Sequence, residues 1–407
     1  MDNPYGKILS VPGAPGFTAA GFVARLAHLM TVLGTVFLVS SVTGSYGLAG
    51  LVSAAYALTY SVVSPLLSRR VDRQRQSRVL AVTTLANAAS RAGFLAAVQL
   101  DGPAWSLLLL SALSGGTMPA IGSLVRARWS HLLRGSPPLL HAALAFESVV
   151  DEVILVAGPI AVAVLVTGVD PMAGLVLALV CTVAGQTALA LQRGTEPPVA
   201  DAGRHAPGTA LTAPGLPLLM LTFIAVGAAG SIIDLGVVAF TDEHGAKAAS
   251  GWVLGLLALG SAVAGLWYGA RPWSSPPERR LAATLPLFTG GTLLFAVAPG
   301  VAFLFPAAVL LGLTMAPALI AGFSAVERYV PRHRLTEGMA LVTTSMGLGI
   351  SLGSATAGKV VDLWGPRAAL GWAGCWAAAA ALAGLWTARR LRRATPAADE
   401  PEPARTG

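Results

Sequence analysis

The stretch from Gly44 to Leu80 decides most of what this chain can become. GSYGLAGLVSAAYALTYSVVSPLL is one apolar run, SRRVDRQRQSR gathers five arginines around one aspartate, and a second apolar run begins at once. An apolar helix of about 20 residues crosses the hydrocarbon core of a bilayer. The cluster of Arg69, Arg70, Arg73, Arg75 and Arg78 then holds that end in the cytoplasm, because short basic loops are retained inside. A hairpin of two membrane helices with a basic turn follows, and the rest of the chain has to be laid out around it.

Composition agrees with a bilayer as the solvent. Of 407 residues, 55% are hydrophobic and 11% charged, with mean hydropathy +0.69. A water-soluble domain carries about 25% charged residues. The net charge of +8 sits in short clusters between apolar runs. No basic helix face or array of stacking aromatics accompanies it, which points away from nucleic acid. Cys181 and Cys375 fall inside apolar runs and read as small core residues, so neither a metal site nor a cofactor is expected. Lys7 is the only cation flanking the first run and eleven more runs follow, so that run is not read as a removable leader. Abundant Ala, Gly, Leu, Arg and Pro with scarce Lys suggest a GC-rich bacterial genome.

Twelve spans are predicted: 17–40, 44–67, 78–99, 104–125, 141–167, 171–191, 215–240, 249–270, 281–298, 301–324, 337–358 and 368–388. Basic loops follow the even-numbered spans: the 69–78 cluster, Arg126/Arg128/Arg134, Arg193/Arg204, Arg271/Arg279/Arg280, Arg328/Arg332/Arg334, and Arg389 onward. Short turns poor in cations follow the odd-numbered ones. Both termini are thereby expected in the cytoplasm. The segment 192–214, rich in Pro, Gly and Ala, reads as a flexible linker between two six-helix bundles, 17–191 and 215–388. Residues 1–16 and 389–407 are read as cytoplasmic tails. A weak repeat supports two halves: Thr117-Met118 and Thr314-Met315 occur in the fourth span of each, with Pro-Ala close behind.

Two parallel six-span repeats resemble the major facilitator superfamily. The loop between spans two and three carries the likeness to residues. That family's pattern is roughly Gly-x-x-x-Asp-Arg-x-Gly-x-Arg-Arg, and here Ser68, Asp72, Arg73, Arg75 and Arg78 stand in its frame. Asp72 and Arg73 match, while Ser68 and Arg75 replace the glycines. The resemblance implies an all-α membrane protein of twelve transmembrane helices that alternates access to a cavity between its halves. By analogy that cavity is lined by spans one, four, seven and ten, near Thr117, Met118, Thr314, Met315 and Phe323. It also implies a loop latch, in which Asp72, Arg73, Arg75 and Arg78 grip a facing helix end in the outward-facing state alone.

Ionisable residues inside apolar spans cost about 2.5–3.5 kcal/mol on the insertion scale and therefore face protein or water. Arg25 and His28 share one face of span one. Glu147 and Asp151 share a face of span five, with Glu152 turned away by about 100°. Helical rise puts Arg25 and Asp151 at similar depth, so an Arg25–Asp151 or Arg25–Glu147 pair is expected if spans one and five are neighbours. Two readings stand. The carboxylates exchange a proton for substrate, since like charges raise one carboxyl's affinity for a proton, or they form a structural salt bridge. Arg91 is expected to snorkel to the outer interface, with a cavity role as the other possibility. Asp234 is read either as an outer-gate contact or as an interfacial residue. His28 is read as a hydrogen-bonded packing residue or a proton relay.

Gly158-Pro159 in span five resembles the end of the antiporter signature of the family's exporters, although alanines at 157, 161 and 163 replace its flanking glycines. Proline kinks a helix by removing a hydrogen bond. Gly347, Gly349, Gly353 and Gly358 in span eleven predict close helix packing. Glu337 opens that span and is expected to cap it or to pair with an arginine of the 328–334 loop, a gate-like contact. The reading that combines these features is a monomeric secondary transporter in the cell membrane. It exports a small molecule (drug, sugar or secondary metabolite) in exchange for protons. The alternatives are an importer or uniporter in which Arg25 binds an anionic metabolite, and a transport-inactive sensor or scaffold. No HExxH, GxSxG or GxxxxGK[ST] is present to support an enzyme or an ATPase.

Overall fold

The computed structural model describes residues 4–198, 211, 213, 215–269, 273–331 and 334–391. The chain folds into helices whose lengths follow from the apolar runs. The N-terminal lobe contains α1 (Pro4–Leu9), α2 (Ala14–Thr43), α3 (Tyr46–Arg73), α4 (Gln76–Gln99), α5 (Ala104–Gly116), α6 (Ile121–Leu132), α7 (Pro137–Gly168) and α8 (Ala173–Leu191). The C-terminal lobe contains α9 (Leu216–Glu243), α10 (Ala249–Gly269), α11 (Pro277–Ala296), α12 (Val301–Tyr329), α13 (Leu335–Trp364) and α14 (Pro366–Leu391). Counting α5 and α6 together, eleven spans are long and apolar enough to cross a bilayer. With α11, whose first turn carries Glu278, Arg279 and Arg280, the helical spans are twelve.

Helix neighbours repeat between the lobes. The pairs α2–α8, α4–α8, α3–α5 and α2–α7 of the first lobe correspond to α9–α14, α11–α14, α10–α12 and α9–α13 of the second. Across the lobes α3 packs on α13 and α7 on α10. Small residues make these crossings close. A Cβ at Gly347 would collide with Ser61 of α3, and one at Gly358 with the Tyr46 carbonyl. On the other side of α13, Gly349 and Gly353 press against the Ile224 and Ala228 carbonyls of α9. Glycine permits this because it brings no side chain between backbones.

Four expectations are corrected. Span four is not continuous but breaks between Gly116 and Ile121, around Pro119. Pro65, Pro159, Pro306 and Pro317 all remain inside helices. What differs at the break is a partner for freed backbone: Asn87 of α4 donates to the Ser114 carbonyl at 2.7 Å and to Thr117 Oγ1 at 3.1 Å. Second, Arg128 is not a loop cation. It lies in α6, fully buried, and donates to the carbonyls of Leu189 (2.8 Å) and Gln192 (2.9 Å). These are orphan acceptors at the C-terminal end of α8, where a cation is also favoured by the helix dipole. Third, the start of the 192–214 segment is docked rather than flexible. Thr195 accepts from Arg128, and Glu196 accepts from the Ser77 backbone at 3.0 Å; residues 199–210, 212 and 214 lie outside the described residues. Fourth, α13 runs six residues beyond its expected end at 358, to Trp364.

Candidate functional site

Arg25 of α2 is the hub of the N-terminal lobe. Its guanidinium meets Glu147 Oε2 at 2.6 Å and Asp151 Oδ1 at 2.7 Å, so it bridges both acids of α7. Glu147 has no solvent exposure, and its second oxygen accepts from Trp129 Nε1 at 2.9 Å. Asp151, about one-third exposed, is shared with Arg126 of α6. Two cations and two anions therefore close on each other, with nearly every polar atom satisfied. Arg25 is the member it can least lose, because Glu147 would then be left as a buried charge without a cation. Glu152 is half-buried and its Oε2 lacks a partner.

His28 lies one turn along α2, with Nδ1 2.8 Å from the Tyr56 hydroxyl and its ring against Tyr60 at 4.4 Å. Arg91 does not snorkel. It is 4% exposed inside the lobe and donates to Ser114, Thr182 and the Ala178 carbonyl, neutral acceptors within its reach. Met118 also departs from expectation. It is 1% exposed, its sulfur accepts from Gln186, and it belongs to the lobe core rather than to a cavity wall. Thr117 is spent at the α5 C-cap. Gly158 faces Leu29, and the Pro159 carbonyl meets Gly251 of α10, so the Gly-Pro kink sits on the lobe boundary.

In the second lobe, Asp234 stands apart. Its helix, α9, is the most buried of the candidate spans, yet Asp234 itself is exposed and takes part in no hydrogen bond or ion pair among the described residues. One turn before it, Gly230 has no atom within 4 Å of where a side chain would be. Gly230 and Asp234 thus form an open strip along one face of an otherwise buried helix. Phe323 stacks edge-on to Phe223 at 4.9 Å, and Thr314 and Met315 are half-buried on α12.

Eight residues beyond Asp234, about 12 Å along the helix, the lobes are joined. Asp362 of α13 accepts from Ser45 Oγ (2.8 Å) and from the Tyr46 (2.9 Å) and Gly47 (2.7 Å) backbone N–H groups, the N-terminus of α3. Asp242 accepts from the Tyr46 hydroxyl at 2.7 Å and from Lys247 at 3.0 Å, and Lys247 also reaches Ser41. Deeper, Ser351 donates to the Ala54 carbonyl at 2.9 Å. The lobes are thus joined on the face opposite the basic loops. Sequence reasoning passed over this seal, because Asp242, Lys247 and Asp362 look like ordinary turn charges. The available signal was Ser45, an N-cap whose helix start offers free N–H groups to an acid.

On the basic face Arg73, Arg75 and Arg78 are exposed and, with Arg193, line one groove. None of them enters an ion pair among the described residues, and the Asp72 side chain lies outside those residues. Glu337 is half-buried in the first turn of α13, while residues 332 and 333 of its expected partner loop lie outside the described residues. Cys181 and Cys375 are free thiols.

Residues 219–406 match the family model of the Major Facilitator Superfamily. A comparison with curated proteins finds no sequence match. Among solved structures, the nucleoside transporter NupG superposes with TM-score 0.69 at 14% identity, over 92% of this chain and 99% of that one. A bacterial homologue of the iron transporter ferroportin in an inward-facing state gives 0.71 at 12%, over 93% and 98%. A bacterial homologue of the human lysosomal transporter Spinster, inward-facing and unoccupied, gives 0.68 at 14%, over 94% and 98%. At such identities the likeness is one of fold, and it extends over nearly the whole chain.

Proposed function

We propose that this chain is a secondary transporter of the Major Facilitator Superfamily that moves a small, largely apolar molecule out of the cell in exchange for protons. The observation that carries the reading is the pairing of a sealed face with an unpartnered acid beneath it. Asp234 is exposed while Asp362, Tyr46, Asp242 and Lys247 close the far side. The joined face lies opposite the basic loops, and the positive-inside rule puts those loops in the cytoplasm, which supports reading this as an inward-open state with cytoplasmic termini.

In the cycle we infer, the passage binds substrate near Phe323, Met315 and Thr314 when open to the cytoplasm. The Asp362 contacts then release, the basic-loop ends close, and Asp72 with Arg73, Arg75 and Arg78 latch the outward-facing state. Asp234 takes up a proton from the outside and delivers it inward, since a lone carboxyl in the passage can change charge without breaking an ion pair. The Arg25–Glu147–Asp151–Arg126 cluster, already neutral and saturated, holds α2 to α7 as the lobe rocks; Gly158-Pro159 lies where that lobe bears on α10.

The test begins with growth of overexpressing cells on a panel of toxic dyes and antibiotics, then uses one responsive dye with purified protein in vesicles under an imposed pH gradient. Proton-driven dye movement that Asp234→Asn abolishes, with dye counterflow retained, is expected. Dye movement indifferent to the gradient in the native protein rules out exchange. Loss of gradient-driven movement in Asp151→Asn but not in Asp234→Asn moves coupling to the α7 acids.

A further inference from the structure

The N-terminal lobe holds a second buried cation that the Arg25 cluster leaves unused. Arg91 donates from Nε to Ser114 Oγ at 3.1 Å, and from one terminal nitrogen to Thr182 Oγ1 at 2.7 Å and the Ala178 carbonyl at 3.3 Å. All three acceptors are neutral. The other terminal nitrogen is buried without a hydrogen-bond partner. No ion pair among the described residues includes Arg91. The Tyr56 hydroxyl is near enough to interact with the guanidinium, but its well-formed bond runs to His28. A guanidinium buried without a counter-charge is among the costliest arrangements in a membrane protein. Arg25, one helix away, has two carboxylates; Arg91 has none.

The same guanidinium borders a cavity whose wall is largely apolar, from Phe94, Leu95 and Leu175, with hydroxyls added by Thr31 and Thr35 of α2, Tyr56 of α3, and Ser111 and Ser114 of α5. Free space there is about 20 Å³, and one water needs roughly 10–15 Å³. That admits a single small sphere and excludes a phosphate or a carboxylate substrate. The hydroxyls can turn toward it. Thr31 and Thr35 donate to carbonyls of their own helix, which also serve its backbone ladder, so rotating them leaves little unsatisfied.

We propose that this cavity is a binding site for a monatomic anion, chloride in the cell, held by the free terminal nitrogen of Arg91 with the surrounding hydroxyls completing its shell. The bound anion supplies the counter-charge that the chain lacks there and ties together α2, α3, α4 and α5. The inference does not depend on the direction or coupling of transport.

The full-length protein in detergent is tested by replacing chloride with gluconate and by growing crystals in bromide. Chloride is expected to raise the melting temperature by about 2–4 °C, and bromide to give an anomalous peak beside the Arg91 guanidinium. Arg91→Gln removes both responses. If that variant does not fold, Tyr56→Phe, which deletes one lining hydroxyl, is expected to weaken the chloride response while the peak persists. Identical melting in chloride and gluconate, with no bromide peak at Arg91, overturns the proposal and leaves a water in the cavity.

Discussion

The two lobes share a helix plan but hold their central helices by opposite means. In the N-terminal lobe α2 and α7 are bridged by long charged side chains, Arg25 to Glu147 and Asp151. In the C-terminal lobe the matching pair, α9 and α13, meets backbone to backbone. Counted from each helix's first residue, Arg25 corresponds to Gly227, Glu147 to Ser345 and Asp151 to Gly349. A side chain at Gly227 or Gly349 would strike the Met346 or Ile224 carbonyl. Arg91 has Thr292 as its counterpart, a residue that bonds within its own helix. The first lobe therefore fills its centre with polar groups, whereas the second closes its centre and leaves Asp234 of α9 with no hydrogen bond or ion pair among the described residues. Polar bridges specify geometry but depend on every partner; close packing depends on volume.

The largest effect is expected from breaking one side of a bridge. Glu147→Leu removes the fully buried half of the Arg25 bridge, leaving Asp151 as its remaining acid and the Trp129 indole without its acceptor, at a cost of about 3–5 kcal/mol, read as a fall in the melting temperature of the purified protein. Arg25→Met combined with Glu147→Leu should recover most of that loss, because an apolar pair of similar volume replaces a desolvated one. If the double variant is no better than the single one, the bridge is not a self-contained unit. Next in size is Asp362→Ala. It removes charge-assisted bonds worth about 1.5–3 kcal/mol each from one conformation, so the sealed face should open at least about tenfold more often, seen as faster thiol labelling of Ser45→Cys. Gly349→Val should cost about 1–3 kcal/mol by overpacking the α9–α13 contact, with no dependence on any charged residue. The smallest is Thr292→Val, expected within about 1 kcal/mol of the native protein.

The sequence carried the plan of this molecule more fully than its contacts. The 44–80 hairpin, the number of spans and the charges inside them follow from hydropathy and the positive-inside rule, which act on single segments. Contacts made by the far ends of helices did not show. Asp362 reads as a turn residue until α3 is known to begin opposite it, and Arg128 reads as a loop cation until α8 is seen to end beside it. Pro119 looks no different from the prolines that stay helical; the partner that meets the backbone at the break, Asn87, is on another span. Arg25 with its acids was visible because depth along a helix can be counted. The cavity beside Arg91 was not, since burial is a property of neighbours.

Alternation about the Asp362 seal is the central claim, and a spin-label distance measurement tests it most directly. With Cys181 and Cys375 replaced by serine, nitroxides on Val42→Cys and Leu363→Cys report the gap between the lobes at the sealed face. Two distance populations are expected, the shorter dominant, and Asp362→Asn should move weight to the longer. A single distance, unchanged by Asp362→Asn and by every dye that cells respond to, would contradict the account.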